Sequence, residues 1–381
     1  MNNKNLMSIR QRAGKRSLLV LSVISLAVGC NKPHPGHEGL KDFKQVNLVA
    51  NTSEYNPVTV DPTLLNGFGL AWSPNGVAWV NSVGGHVSEV YTADGMIART
   101  GVNIPSPLGA GGGFPCGIVF SGGKGFNQSN GTSSFLFTGF DGVLSGWNPA
   151  SGDTAKRLKG PFTEQTSYTG LAIAASQGRN LIYAANFGEK KVNVWDTAFA
   201  PVAMSFNDPY LPADYSPYNI QAVGDLLFVI YAKLGADGHG VAGTGNGFVS
   251  VFKTDGSFVK RFASRGTLNI PWGVTMAPGS FFEQQQGDDV TNNNNAHNGD
   301  HNPNEPVMLI GNFGDGHINV YDLDGRFLGQ LRSKHSNIVI DGLWALSFAP
   351  STATNVDPAR LYFTAGPDHE ADGLFGYLIK Q

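Results

Sequence analysis

Charge, cysteine and long apolar runs are all scarce in this chain. Charged residues make up 14% of its 381 residues, and the two cysteines are Cys30 and Cys116. The longest apolar run, Leu18 to Gly29, has twelve residues, fewer than the roughly 20 that cross a bilayer as a helix. These deficits disfavour a coiled coil, a disulfide-stapled domain and a bundle of membrane-spanning helices.

Glycine and aromatic residues are abundant instead. The 50 Gly, 24 Phe and 21 Pro favour many short strands joined by tight turns, so the predicted class is all-β. Five of the 26 basic residues and no acidic residue precede position 30, which leaves 21 basic against 29 acidic residues in the rest of the chain. A body with this net negative charge has no bulk attraction for nucleic acid.

The first thirty residues predict export. A basic segment, Met1 to Arg16, precedes the apolar run in the order of a signal peptide. Ala27 and Gly29 before Cys30 resemble a bacterial lipobox, in which the cysteine is lipidated and becomes the new N-terminus. Ordinary secretion with cleavage nearby is the alternative.

Three segments follow from this interpretation: a signal peptide over 1–29, a lipidated Cys30 with a flexible tether over 30–45, and a folded body over 46–381. Asn31 after the cysteine favours the periplasmic side of the outer membrane or the cell surface, with the lipid as the only membrane contact. We expect the body to be a monomer.

Six segments of the body repeat one another, which predicts one structural unit in six copies. Each has a first strand that follows a turn, a second apolar strand and a third strand that ends in an aromatic residue. These six aromatic residues are Tyr91, Trp147, Trp195, Phe252, Tyr321 and Tyr377. Asp-Gly turns such as Asp94-Gly95 and Asp255-Gly256 then lead into a fourth strand.

Six four-stranded antiparallel sheets of about 50 residues predict a six-bladed β-propeller. One sheet cannot bury both of its faces, whereas six sheets packed around an axis can. The last unit ends after its third strand, so the N-terminal strand Val46 to Asn51 is predicted to complete the last blade and close the ring. An open β-sandwich is the alternative, but a sandwich does not produce six matched aromatic positions.

The repeats resemble those of a known group. The stretches NFGEKKVNVWD at Asn186 and NFGDGHINVYDLDG at Asn312 resemble NHL-repeat propellers. More closely, NIPWGVTMAP and LYFTAGPDHEADGLFGYL resemble a family of exported bacterial propeller proteins over Val46 to Gln381. The resemblance implies the propeller fold and leaves the activity open.

Two columns of the repeat predict a site. In a propeller, the loop before the innermost strand and the loop between the second and third strands emerge on one face, around the channel mouth. The first column contains Phe68, Cys116, Thr169, Tyr218, Trp272 and Leu343. The second column contains Asn81, Phe140 with Asp141, Asn186, Ala232, Asn312 and Gly366 with Asp368.

Aromatic rings beside amides suit a small polar or sugar-like ligand. The predicted ligand-binding residues at the mouth are Phe68, Asn81, His86, Asp141, Asn186, Tyr218, Trp272, Asn312, His317 and Asp368.

Each of these residues has a structural alternative. The aromatic rings can simply pack between blades, and an Asn before Gly commonly binds its own turn. The histidines of the second-to-third-strand loops can form a polar rim rather than act as bases; they are His86, His239, His317 and His369. Cys116 is expected to be a buried apolar residue. The candidate carboxylates for a cation are Asp141, Asp315, Asp368 and Glu370. None is securely on the axis, so no metal is predicted and calcium is the alternative.

Two insertions interrupt the repeat. Phe282 to Pro303, rich in Asn and Gln, is expected to be a disordered surface loop on the face opposite the site. The segment KLGADGHGVAGTGNG, which begins at Lys233, lies on the predicted site face and suits a lid.

The sequence thus predicts an exported, lipid-anchored propeller that binds a ligand or partner at its channel mouth, without a cofactor. The partner can be a small molecule, a glycan or a protein. The alternative is a calcium-dependent lactonase-type hydrolase or a lyase that acts on an exported small molecule or polysaccharide.

Overall fold

The computed structural model describes residues 39–282 and 305–381. These residues form six antiparallel sheets arranged as blades, and their helices of three or more residues are the 3-10 turns Ser53–Tyr55, Pro149–Ser151 and Gly279–Phe282. The predicted signal peptide, Cys30 and positions 31–38 of the predicted tether lie outside the described residues.

The strands follow the chain from blade one to blade six. The N-terminal strands are β1 Phe43–Ala50 and β2 Thr59–Val60. Blade one contains β3 Gly67–Trp72, β4 Val77–Ser82, β5 Val87–Thr92 and β6 Ile97–Asn103. Blade two contains β7 Pro115–Phe120, β10 Phe135–Gly139, β11 Leu144–Trp147 and β12 Lys156–Lys159, with the hairpin β8 Asn127–Gln128 and β9 Gly131–Thr132 inserted. Blade three contains β13 Tyr168–Ser176, β14 Arg179–Asn186 and β15 Lys191–Trp195.

The second half of the ring continues in the same order. Blade four contains β16 Tyr215–Val223, β17 Leu226–Lys233, β18 Gly247–Lys253 and β19 Phe258–Ser264. Blade five contains β20 Pro271–Ala277, β21 Val307–Asn312, β22 Ile318–Tyr321 and β23 Phe327–Gln330. Blade six contains β24 Leu343–Ser347, β25 Leu361–Ala365 and β26 Leu374–Lys380.

The ring is closed by the N-terminal strand, as predicted. Strand β1 pairs antiparallel with β26, so that Phe43 lies opposite Lys380 and Val46 opposite Tyr377. The innermost strands contact one another around the ring, and β24 of blade six contacts β3 of blade one. Blade six is therefore built from both ends of the chain.

The body begins earlier than the predicted boundary at residue 46. Leu40 and Phe43 are buried, and the Phe43 ring lies 4.9 Å from that of Phe281 and 6.1 Å from that of Phe282. Phe282, the first residue of the predicted insertion, thus belongs to the core. The rest of that insertion, 283–303, lies outside the described residues.

Blade three departs from the four-stranded unit. Its sheet has three strands, and the segment after β15 makes one bridge, between Trp195 and Pro201, with a hydrogen bond from Val202 N to Val194 O of 2.8 Å. Proline has no N–H to donate to a strand ladder, so the segment does not extend as a fourth strand.

The innermost strands approach closely at the axis because glycine lines them. A Cβ at Gly69 would lie 2.2 Å from the carbonyl oxygen of Cys116, and one at Gly273 would lie 2.6 Å from that of Trp344. Side chains at these positions would push neighbouring blades apart. The glycines therefore bring the residues next to them, Phe68 and Trp272, into the channel.

Candidate functional site

Aromatic side chains fill the middle of the channel. Phe68, Trp272 and Trp344 come from blades one, five and six and are 0%, 6% and 1% exposed. The ring of Phe68 lies 3.8 Å from that of Trp344 and 5.1 Å from that of Trp272, and Phe313 stacks on Trp344 at 4.0 Å. We call these four residues the aromatic plug.

The prediction for the first column is wrong in blade six, where Trp344 rather than Leu343 lies in the channel. Strand pairing places Pro271 opposite Asn312, Gly67 opposite Ser82 and Leu343 opposite Ala365, each just before a register shift. Leu343 therefore matches Gly67 and Pro271. The residue equivalent to Phe68 and Trp272 is Trp344, one position beyond the predicted Leu343.

A cavity of about 480 Å³ lies at the channel mouth, in contact with the plug through Trp344. Its lining comes from blades two, three, four and six. The residues are Phe114, Phe140, Asp141, Ser167, Thr169, Phe187, Tyr218, Gly238, His239, Gly240, Trp344 and Glu370. We call this space the mouth cavity. The plug rings are buried and packed against one another, so they close the inner end of the mouth cavity.

Asp141 is a partly buried acid in the wall of the mouth cavity. Its Oδ1 accepts a hydrogen bond from Val143 N at 3.2 Å, and its Oδ2 is buried without a hydrogen-bond partner among the described residues. Burial raises the pKa of the Asp141 carboxyl, against the opposing effects of backbone hydrogen bonds and of the His86 charge. The charged form of Asp141 is therefore incompletely compensated by the protein.

Glu370 is the second acid of the mouth cavity. Its Oε2 accepts a hydrogen bond of 2.6 Å from Asn66 Nδ2, and Asn66 Oδ1 accepts one of 2.8 Å from Trp344 Nε1. Three consecutive left-handed residues, Asp368, His369 and Glu370, form the turn that carries this acid. Desolvation raises the pKa of Glu370, and the Asn66 hydrogen bond and the His239 charge oppose the rise.

Two further ionisable groups near the cavity, Cys116 and Tyr218, are buried. Burial raises the pKa of the Cys116 thiol, and the charges of Asp141 and Glu370 add to the rise. Burial likewise raises the pKa of Tyr218, with Glu370 contributing. Cys116 is thus held as a neutral thiol and Tyr218 as a neutral phenol.

The three predicted asparagines hydrogen-bond to the framework. Asn81 Nδ2 donates to the carbonyl oxygens of Cys116 and Gly117 in the next blade, at 3.2 and 3.3 Å. Asn186 Oδ1 accepts from Ser167 N and Glu189 N, both at 3.2 Å. Asn312 Nδ2 donates to Thr267 O at 2.7 Å and to Asp315 Oδ1 at 3.0 Å. The three side chains hold loops and neighbouring blades together.

The two predicted histidines and Asp368 lie around the rim. His86 Nδ1 is 2.9 Å from Gly113 O, and its ring lies 4.8 Å from that of Phe114, a cavity residue. His317 Nδ1 lies 3.2 Å from Asp315 Oδ1. The exposed carboxylate of Asp368 accepts no hydrogen bond among the described residues, and the backbone N–H of Asp368 donates to Asp341 Oδ2 at 3.1 Å.

Of the ten predicted residues, the structure therefore places Asp141 and Tyr218 in the cavity wall and Phe68 and Trp272 in the plug. From the sequence, Glu370 is a candidate only as a cation ligand and His239 only as a rim histidine. Asn66, Phe187 and Trp344 were not identified. The segment predicted as a lid contributes Gly238, His239 and Gly240 to the wall.

Within 39–282 and 305–381, no group of three or more His, Cys, Asp or Glu side chains is arranged to hold a metal ion. Across those same residues, no helix has the length and apolar character of a membrane span.

Together, the fold and the cavity define a six-bladed β-propeller with a closed-ended mouth cavity. No protein-family model matches the chain. "Uncharacterized protein L690" of Acanthamoeba polyphaga mimivirus is 30% identical over 366 residues, which cover 88% of this chain and 86% of that protein. "Uncharacterized protein R648" of the same virus is 28% identical over 361 residues, 88% of this chain and 80% of that protein. The chain belongs to the family of the first of these viral proteins.

Solved structures include similar propellers. A streptogramin B lyase matches with a TM-score of 0.48 and 10% identity, over 88% of this chain and 96% of that chain. Virginiamycin B lyase from Staphylococcus aureus matches with a TM-score of 0.44 and 11% identity, over 89% and 99%. Similarity at this level carries no information about the chemistry of the mouth cavity. The predicted membership of an exported bacterial family remains a prediction.

Proposed function

We propose that this propeller is a binding module that takes a small molecule in the mouth cavity. The observation that carries the proposal is a closed-ended space of about 480 Å³ whose wall combines five aromatic residues with two carboxyl groups. Small-molecule sites commonly have this size, an apolar lining and a few polar groups that orient the ligand. The plug beneath the cavity provides a fixed floor, because its rings are buried and packed against one another.

Filling the cavity tests the proposal. A Cβ at Gly240, which lines the cavity, would have its nearest contact at 3.4 Å, so Gly240→Phe introduces a ring without a backbone clash. Gly109→Phe is the matched control, because a Cβ there meets nothing within 4 Å and Gly109 is outside the described lining.

The measurement is a titration of tryptophan fluorescence and of melting temperature with phenethylamine, choline, glucose, N-acetylglucosamine and benzoate. We expect at least one probe to bind the parent protein and Gly109→Phe, and Gly240→Phe to lose that binding. Absence of binding by every probe, or unchanged binding to Gly240→Phe, would contradict the proposal.

An enzyme is the second candidate, favoured by one observation: Asp141 and Glu370, both with raised pKa, line the same cavity. A carboxyl group whose pKa is raised toward neutrality is suited to general acid or base catalysis in a hydrolase or lyase. Metal analysis of the purified protein, with melting curves recorded with and without chelator, tests the calcium-dependent form. Bound calcium and a lower melting temperature in chelator would favour it.

We further propose that the protein is exported and lipidated at Cys30, on the strength of the N-terminal sequence pattern. Metabolic labelling with palmitate in a Gram-negative host tests this proposal. Label should be lost from Cys30→Ala and retained by Cys116→Ala, whose cysteine is buried. Equal labelling of both variants would contradict it.

A further inference from the structure

The ionisable side chains that line the mouth cavity are mostly acidic. Asp141 and Glu370 line it, and no Lys or Arg of the described ranges does so. His239 is the one described lining residue that can become positively charged, and it lies on the loop inserted in blade four. An anionic ligand would therefore meet two carboxyl groups and no fixed cation.

A comparison with Asp208, a buried acid of this chain, shows what is missing. Asp208 has a fully buried side chain, and its Oδ2 lies 2.5 Å from Arg261 Nη2 and accepts a hydrogen bond of 2.5 Å from Ser250 Oγ. The half-buried Asp141 accepts backbone hydrogen bonds, among them that of Val143 N at 3.2 Å, and the more exposed Glu370 accepts from the neutral amide of Asn66. A buried carboxylate ordinarily needs a paired cation. Arg261 supplies one to Asp208, whereas no Lys or Arg of the described ranges hydrogen-bonds to Asp141 or Glu370.

The aromatic wall supplies the complementary surface. Phe114, Phe140, Phe187 and Tyr218 line the cavity beside the two acids, and the Phe187 and Tyr218 rings are 4.7 Å apart. Aromatic rings attract ammonium groups through their electron-rich faces, and the attraction is stronger where water is excluded. Rings and carboxylates together favour a ligand with a positive charge and an apolar body.

We propose that the ligand of the mouth cavity is a small organic cation, a protonated amine or a quaternary ammonium compound, whose charge is balanced by Asp141 and Glu370. This inference rests on the proposed binding function and specifies its ligand class. The apolar body of the ligand contacts the aromatic wall. The loop that carries His239 borders the bound cation.

Matched cationic and neutral probes test the inference by calorimetry on the full chain. Phenethylamine, which is protonated at pH 7, is compared with 2-phenylethanol, and choline with 3,3-dimethylbutan-1-ol. Each pair has nearly the same shape and differs in charge. We expect at least one cation to bind about tenfold or more tightly than its neutral partner, as expected for a desolvated charge interaction.

Charge-removing variants locate the interaction. Asp141→Asn and Glu370→Gln should each weaken cation binding by about tenfold and leave binding of the neutral partner nearly unchanged. Glu54→Gln is the control, because Glu54 is exposed on a 3-10 turn away from the cavity lining. Melting curves of all variants establish whether they remain folded. Asp141→Glu keeps the charge and should bind the cation more tightly than Asp141→Asn does.

Three outcomes separate the possibilities. If neutral probes or sugars bind as tightly as the cations, and Gly240→Phe abolishes their binding, the cation inference is overturned and the binding function stands. Cation binding that Asp141→Asn and Glu370→Gln do not weaken would also overturn the inference. No binding by any probe would contradict both.

Discussion

Trp272 and Thr169 are joined across the channel: the indole Nε1 of Trp272 donates a hydrogen bond of 2.9 Å to the carbonyl oxygen of Thr169. The two residues belong to blades five and three, which are not neighbours in the ring. The backbone carbonyl of Trp272 in turn accepts a hydrogen bond of 2.8 Å from Asn219 Nδ2 in blade four. Trp272 therefore ties three blades together at the axis.

We expect the two functions of Trp272, packing and hydrogen bonding, to be separable. Trp272→Phe keeps a ring in the plug but removes the donor, so it should lower the free energy of unfolding by about 1 kcal/mol. Trp272→Ala also removes the ring and should cost about 3–5 kcal/mol. Chemical denaturation measures both values. Equal, small effects of the two substitutions would show that the plug contributes little to stability.

A second buried cluster predicts the pH dependence of stability. Thr63 Oγ1 lies 2.6 Å from Asp61 Oδ1 and 2.6 Å from Glu89 Oε1, and Tyr91 donates to Asp61 Oδ2 at 2.8 Å. One hydroxyl hydrogen cannot serve both carboxyls, so the network is satisfied when Glu89 is protonated and donates to Thr63. Burial also raises the pKa of Glu89.

Because the folded state holds this proton more tightly than the unfolded state, Glu89 favours folding at low pH, and this contribution is lost as pH rises from the unfolded pKa, about 4.3, to the raised folded pKa. Glu89→Gln has no such proton. The free energy of unfolding of Glu89→Gln minus that of the parent should therefore increase with pH over this interval. Denaturation at a series of pH values measures it, and the same difference for Glu54→Gln should stay flat. A flat difference for Glu89→Gln would contradict the protonated network.

Closure of the ring by β1 makes a prediction about truncation. Leu48, Val49 and Ala50 are buried, and each Leu or Val contributes roughly 2 kcal/mol by burial. Deleting residues 46–51 should lower the free energy of unfolding by several kcal/mol and expose the edge of β26. Val58→Ser with Val60→Ser, at exposed positions of the following segment, is the control and should have little effect. A deletion variant that melts like the parent protein would show that β1 does not close the ring.

The repeat made the blades predictable from the sequence. Tyr91, Trp195 and Phe252 occupy the ends of third strands and are buried, as their spacing indicated. The strand Val46 to Asn51 was predictable because blade six otherwise lacked a strand. The position of Trp344 was not, because the register shift that aligns it with Trp272 is defined by strand pairing rather than by residue type.

The composition of the cavity was less predictable for a similar reason. Asn186 and Asn312 stand out in the sequence because the repeat conserves their turn within the chain, and their amides are used by that turn. Glu370 lies outside both columns, on a left-handed turn, and its partner Asn66 is 304 residues away in the sequence. No local pattern links residues so distant that only ring closure brings them together.

A crystal structure of the full chain grown with phenethylamine tests the central claim most directly. The account predicts the probe in the mouth cavity, with its ammonium nitrogen beside the carboxylates of Asp141 and Glu370 and its ring against the aromatic wall. A probe bound on another face of the propeller, or a mouth cavity that stays without the probe at saturating concentration, would contradict it.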